Sequence, residues 1–331
     1  MSDPADNPDG PGLPVLVVFG PTASGKTALA EAVFADGERP VPFGIDARFR
    51  GLAEVISADS MQVYRGMDIG TAKPDKALLE SLPHHLIDIR DPDEQFCAGD
   101  FVRLADEACR DIASRGKLPV VLGGTGFYVK NFLFGLPETP ESDPALRAEI
   151  LERMRAEGPD RLMEELRALD PESAARIHPN DEYRIARALE VFHASSRPLS
   201  SFALPCSFRR GFRFLSLAIE RPRDELNARI NARVDAMFDS GLEGEFASLV
   251  KAGYGPSDPG MQAIGYREFF GAPCALAAQE AIKNDSRKYA KRQETFIKPI
   301  PGILRLRADD IAGFFGAVAG FWDPARGKTT P

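Results

Sequence analysis

The chain has 331 residues, ordinary apolar content and a formal net charge of -8, enough length for one large domain or a domain carrying an inserted lobe. The acidic balance excludes a protein that coats nucleic acid indiscriminately, but it leaves room for local basic patches. No apolar run approaches a membrane span, and Met1 to Gly12 is Pro/Asp/Gly-rich rather than basic then apolar, so a soluble cytoplasmic protein is expected.

"LPVLVVF", from Leu13, reads as a buried strand running into Gly20. Gly20-Pro21-Thr22-Ala23-Ser24-Gly25-Lys26-Thr27 then matches the P-loop pattern in full. In such a loop backbone N–H groups curl around phosphate oxygens, Lys26 adds a compact positive charge, and the Thr27 hydroxyl is placed to ligate Mg²⁺. The helix expected over Thr27 to Phe34 adds its amino-terminal partial charge. "AEVIS" is a second strand ending at Asp59, "HHLIDI" a short third one, Asp100 to Arg115 an amphipathic helix, and "KLPVVLGG" another buried strand. This alternation predicts a P-loop NTPase-like α/β fold, a parallel sheet with flanking helices, with functional loops at the carboxyl ends of the strands. Gly20, Asp59 and Gly123-Gly124-Thr125 all fall there.

Phosphoryl transfer expects an apolar strand ending in a magnesium-holding Asp. The obvious candidate here ends in Gly-Gly-Thr, which favours holding a diphosphate over splitting one. Asp59 has two readings: a carboxylate capping the turn of "ADSMQ", or a general base across the pocket from the phosphate site. Composition alone leans slightly to the first.

From Asp143 the pattern turns helical, with capping signals at Asp143-Pro144, Asp170-Pro171 and Asn180-Asp181. A small all-helical inserted lobe is expected over residues 143–197, splitting a core made of 13–142 and 198–322. "FRFLSLAIE" returns to the sheet, one long helix is expected from Arg223 to Lys251, and a last helix from Gln279 to Phe296. Residues 1–12 and 323–331 are expected to be disordered. Arg209, Arg210, Arg213, Arg221, Arg223, Arg229 and Arg233 form one basic cluster; Arg287, Lys288, Lys291, Arg292 and Lys298, interleaved with Tyr289 and Phe296, form another. Solvated helix faces would explain both, yet two clusters in an acidic chain tilt the reading towards a polyanion surface. Cys97, Cys109, Cys206 and Cys274 are far apart with no C-x-x-C spacing, so reduced thiols are expected rather than a zinc site or disulfides.

"GPTASGKT", "ISADSMQVYRGMDIGTAKP", "VVLGGTGFYVKNFLFGL", "ARIHPNDEYRIARALEVF", "MQAIGYREF" and "YAKRQETF" occur in order along the chain. Together they resemble the tRNA dimethylallyltransferase (tRNA isopentenyltransferase) family, bacterial type. That resemblance implies transfer of a dimethylallyl group from dimethylallyl diphosphate to N6 of the adenosine just 3′ of the anticodon in tRNA. The P-loop then holds the leaving diphosphate, with Mg²⁺ as cofactor. By motif, Asp59 is the base, Lys26 and Thr27 stabilise the leaving group, and Thr125 lies near the reacting centre. An arginine of "NARINARVD" reaches the diphosphate, Arg233 being favoured over Arg229. The family's tRNA contacts map to Asp59, Ser60, Met61, Gln62, Thr125, Arg147, Tyr183, Arg184, Ile185, Ala186, Arg187, Gly265, Tyr266, Arg267, Lys291, Arg292 and Gln293. Tyr183, Tyr266 and Arg267 suit base stacking. A monomer without zinc is expected. Residues 36–52 form an extra segment read as a surface excursion, and Phe296 and Lys298 stand where the family usually has Trp and Arg. The alternatives are prenyl transfer to a free adenine nucleotide, a P-loop small-molecule kinase, and a non-catalytic RNA-binding switch.

Overall fold

In a computed structural model, which describes residues 12–37 and 44–322, the run "LPVLVVF" forms β1 (Leu13–Phe19), and its last five residues are buried. The other strands are β2 (Ala53–Ala58), β3 (His84–His85), β4 (Leu118–Gly123), β5 (Phe212–Glu220) and β6 (Leu304–Arg307). They form one parallel sheet in the order β3-β2-β4-β1-β5-β6. β2 and β4 are buried along their whole length, as strands covered on both faces must be. The helices of this unit are α1 (Lys26–Phe34), α2 (Lys76–Ser81), α3 (Ala98–Ser114) and α4 (Gly126–Phe134) on the first half of the chain.

Among the described residues, one compact unit runs to Leu133 and resumes at Arg209, and a second comprises Phe134–Phe208. The second unit is built on α5 (Pro144–Glu157), α6 (Pro159–Leu169), α7 (Pro171–Arg176) and α8 (Glu182–Ser195). Asp143, Asp170 and Asp181 cap α5, α7 and α8 through their carboxylates. Its core is small: Ile150, Met154, Leu162, Met163 and Leu166 pack on Ile185, Ala186, Ala188 and Leu189.

After β5 the single helix expected from Arg223 to Lys251 is two, α9 (Arg223–Asp239) and α10 (Leu242–Lys251). Gly241, at φ 96, makes the break, a conformation that costs glycine nothing. α11 (Arg267–Gly271) and α12 (Ala275–Ile297) follow. The chain then adds β6 and α13 (Ile311–Phe321), which the sequence reading had not anticipated. Phe314, Val318 and Trp322 join Leu29, Val33 and Phe34 of α1 in one core cluster.

The extra segment is more than a surface excursion. Phe49 is buried and meets Phe315 edge-on at 5.1 Å, while the Gly51 N–H bonds the Phe34 carbonyl at 2.9 Å; residues 38–43 lie outside the described residues. So do both ends expected to lack order, apart from Gly12.

Gly123 explains the missing acid on β4. It pairs in register with Phe19 on one side and Ala58 on the other, and a Cβ there would lie 2.1 Å from the Ala58 carbonyl oxygen. No side chain fits. Gly123→Ala is expected to destabilise the protein by about 3 kcal/mol, seen as a lower urea midpoint at unchanged slope.

Candidate active site

The carboxyl ends of four neighbouring strands bring the site together. β2 delivers Asp59, β4 delivers Gly124 and Thr125, β1 delivers the phosphate loop, and β5 delivers Arg221. In the loop Ala23 takes φ 60 and Gly25 φ 102. The left-handed Gly25 turns the chain into α1; at Ala23 the same sign of φ is strained and is held by neighbours. Three arginines supply that hold. Arg233 donates to the Thr22 hydroxyl at 3.2 Å, Arg229 to the Ala23 carbonyl at 2.9 Å, and Arg221 to the Ser24 carbonyl at 2.7 Å.

These cations crowd Lys26. Burial, followed by repulsion from Arg233, brings its pKa down to about 8, against the opposing pull of Asp59. Burial also lowers Arg233, which Asp59 in turn supports. Such crowding of like charges marks a place built to receive an anion. A diphosphate held against Lys26 would need the ammonium form, so the dissociation constant for inorganic diphosphate is expected to be flat below about pH 8. Above that it should rise roughly tenfold per pH unit, as titration calorimetry with inorganic diphosphate would show.

Asp59 accepts the Met61 N–H at 2.9 Å and the Gln62 N–H at 3.4 Å, both through Oδ1. The capping role read from composition is therefore present. The same residue lines a cavity of about 260 Å³ with Thr22, Ser60, Arg233, Tyr289 and Arg292, so capping and proton acceptance are compatible. Thr125 Oγ1 takes the Ser60 N–H at 3.0 Å, which ties the tips of β2 and β4. One wall of the cavity is apolar: Ile230, Val234 and Met237 on α9, Ile264, and Ile282 on α12; Thr71, Gln262, Arg267 and Ser286 are polar lining elsewhere.

A family model described as IPP transferase matches residues 62–299. The chain belongs to the IPP transferase family. It is 44% identical over 294 residues to the tRNA dimethylallyltransferase of Geobacter sulfurreducens, covering 87% of this chain and 90% of that protein. The crystal structure of the tRNA isopentenylpyrophosphate transferase from Bacillus halodurans aligns at TM-score 0.62 and 32% identity, over 95% of this chain and 98% of that one. A crystal structure of a eukaryotic dimethylallyltransferase acting on tRNA aligns at TM-score 0.74 and 28% identity, over 93% and 77% respectively.

Residues expected to touch tRNA divide by exposure in this transferase. Lys291, Arg292 and Arg267 are exposed in the first unit, as are Tyr183 and Arg184 in the second. Arg147 lies 4.7 Å over the Tyr183 ring and pairs with buried Glu190 at 3.0 Å; Arg187 shares Glu190 at 3.1 Å. Ser60, Met61 and Gln62 are half-buried around Asp59.

Five of the expected tRNA contacts need correction. Ile185 and Ala186 have no exposed surface and belong to the core of the helical unit. Tyr266 cannot stack on a base, because its ring is fully buried. Its hydroxyl donates to Glu245 at 2.5 Å and accepts the Gly70 N–H at 3.1 Å. Gln293 is also buried, bonded inside the site rather than facing outward. Gly265 is buried as well, at φ 109 against the Gly70 backbone.

Sequence reasoning missed Glu245, whose carboxylate accepts the N–H groups of Asp68, Ile69 and Gly70. That fixes the loop from which Gly70 and Thr71 line the cavity; no local spacing signals a contact across some 175 residues. Sequence reasoning also passed over the apolar stripe Ile230, Val234, Met237, although its i, i+4, i+7 spacing marks one helix face. Arg209, read as part of a polyanion patch, is turned inward to Asp106 at 2.8 Å and the Phe132 carbonyl at 2.6 Å.

A diphosphate substrate generally calls for a divalent cation. Thr27, in the first turn of α1, offers a hydroxyl beside the loop. Among the described residues no group of three His, Cys, Asp or Glu could hold a metal. That donor set fits a hard cation that takes most of its ligands from substrate oxygens and water.

Proposed function

We propose that this transferase moves a dimethylallyl group from dimethylallyl diphosphate to N6 of the adenosine just 3′ of the anticodon in tRNA. The observation that carries the reading is one cavity lined by Asp59, Arg233, Thr22 of the phosphate loop and an apolar wall. In the reaction the allylic C1–O bond breaks and its electron pair leaves with the diphosphate. The N6 lone pair forms the new C–N bond, and Asp59 takes the N6 proton. Lys26, Arg233 and the loop N–H groups stabilise negative charge where it develops on the leaving oxygen. The apolar side chains of α9 receive the isoprenoid tail and keep water from the electron-poor allylic carbon. Mg²⁺, held by the Thr27 hydroxyl and the diphosphate, would add further neutralisation of the leaving group.

The adenine must leave its stack to reach Asp59, so the base is flipped, and Arg267, Lys291 and Arg292 contact the surrounding loop, while Tyr183 and Arg184 offer RNA contacts of their own on the helical unit. Arg292→Ala is expected to weaken tRNA binding by roughly tenfold and to leave inorganic diphosphate binding unchanged; equal losses in both would reject that division. Incubation with purified tRNA and labelled dimethylallyl diphosphate, then nucleoside analysis, tests the whole reading. Label in N6-(dimethylallyl)adenosine supports it. Label only in added free adenine nucleotide, or γ-phosphate transfer from ATP to a small acceptor, replaces it.

A further inference from the structure

A buried side chain that satisfies its polar atoms on two separate loops fixes those loops to each other. Gln293 of α12 does this. Its Oε1 accepts the Thr22 N–H at 2.9 Å, and its Nε2 donates to the Gly124 carbonyl at 2.7 Å. Only that orientation of the amide serves both partners, since one is a donor and the other an acceptor. The residue is 4% exposed, so water cannot take over either bond. The fit leaves no slack: a Cβ on Gly124 would stand 2.3 Å from Nε2, which accounts for the second glycine of the Gly-Gly-Thr tip. One turn earlier on α12, Tyr289 lines the same cavity, its hydroxyl pushed up to about 12 chiefly by burial.

The geometry points to Gln293 as a positioning residue that locks the diphosphate loop to the Thr125 loop, and so sets the leaving group at its working distance from the Asp59 side of the cavity. This rests on the transfer reading above. The clamp acts on alignment rather than on affinity. The diphosphate loop keeps its three arginine bonds without Gln293, and the exposed cations that meet RNA are other residues. Misplacement of reacting groups by about 1 Å costs roughly a hundredfold in rate.

The test is Gln293→Met, of similar length and without the amide. Turnover at saturating tRNA and dimethylallyl diphosphate is expected to fall by about a hundredfold. The dissociation constants for inorganic diphosphate and for tRNA, measured separately, are expected to stay within about threefold. Tenfold weaker tRNA binding with normal turnover would make Gln293 an RNA contact instead. A turnover defect that disappears at a temperature where the variant is fully folded would make it merely structural. Should the Met variant unfold, Gln293→Asn decides in the same way, since its amide reaches one loop at most. Wild-type protein that forms no prenylated nucleoside overturns the transfer reading itself; an active wild type with an unimpaired Gln293→Met overturns only the clamp.

Discussion

Asp59→Asn is expected to lower turnover of dimethylallyl transfer by about two to four powers of ten with little change in melting temperature. The substitution separates the observed cap from the proposed proton acceptance. An amide oxygen can still accept the Met61 and Gln62 N–H groups that Oδ1 now takes, so the turn after β2 keeps its cap. What the amide cannot do is accept the N6 proton. Asp59→Ala should lose both, adding about 1 kcal/mol of destabilisation from the missing cap. The comparison is made by single-turnover rates beside thermal melts, and Asp59→Asn within threefold of wild type would leave Asp59 a cap and nothing more.

Arg233→Ala carries the second largest expected effect, a loss of about two to three powers of ten in turnover, against less than tenfold for Arg229→Ala. Both arginines anchor the diphosphate loop, but Arg233 lines the cavity while Arg229 is exposed. Removing Arg233 also removes one of the influences that depress Lys26. The Lys26 ammonium should then persist to higher pH, so the alkaline limb of diphosphate binding moves upward from about pH 8. The sign matters: loss of any merely structural arginine would weaken binding without moving that limb. A larger loss in Arg229→Ala would reverse the assignment.

The fold was legible where local rules act in concert. β1, its glycine loop and α1 announce themselves through a buried run, a P-loop spacing and a helical pattern within twenty-odd residues, and the three aspartate caps of the helical unit were readable one by one. The departures have separate physical causes. Gly241 divides α9 from α10 because a left-handed backbone breaks a helix even where side-chain periodicity continues. β6 has mostly exposed side chains and only four residues, too little pattern to register as a strand. At the site, residue types were readable but their facing was not. Tyr266 and Gln293 carry polar groups suited to RNA, and both spend them inside the protein. Their partners, Gly70 and Gly124, lie 196 and 169 residues away, beyond the reach of any spacing argument.

The final strand and helix bear on what a shortened gene product would do. A chain ending at Lys298 would retain every motif quoted for the family and all the cavity-lining side chains. It would also present β5 as an open ladder of unpaired amides and uncover the apolar flank of α1 that Phe314 and Val318 now shield. Such an edge invites other chains to pair with it. Motif completeness and solubility therefore part company some twenty-five residues before the last described residue, Trp322.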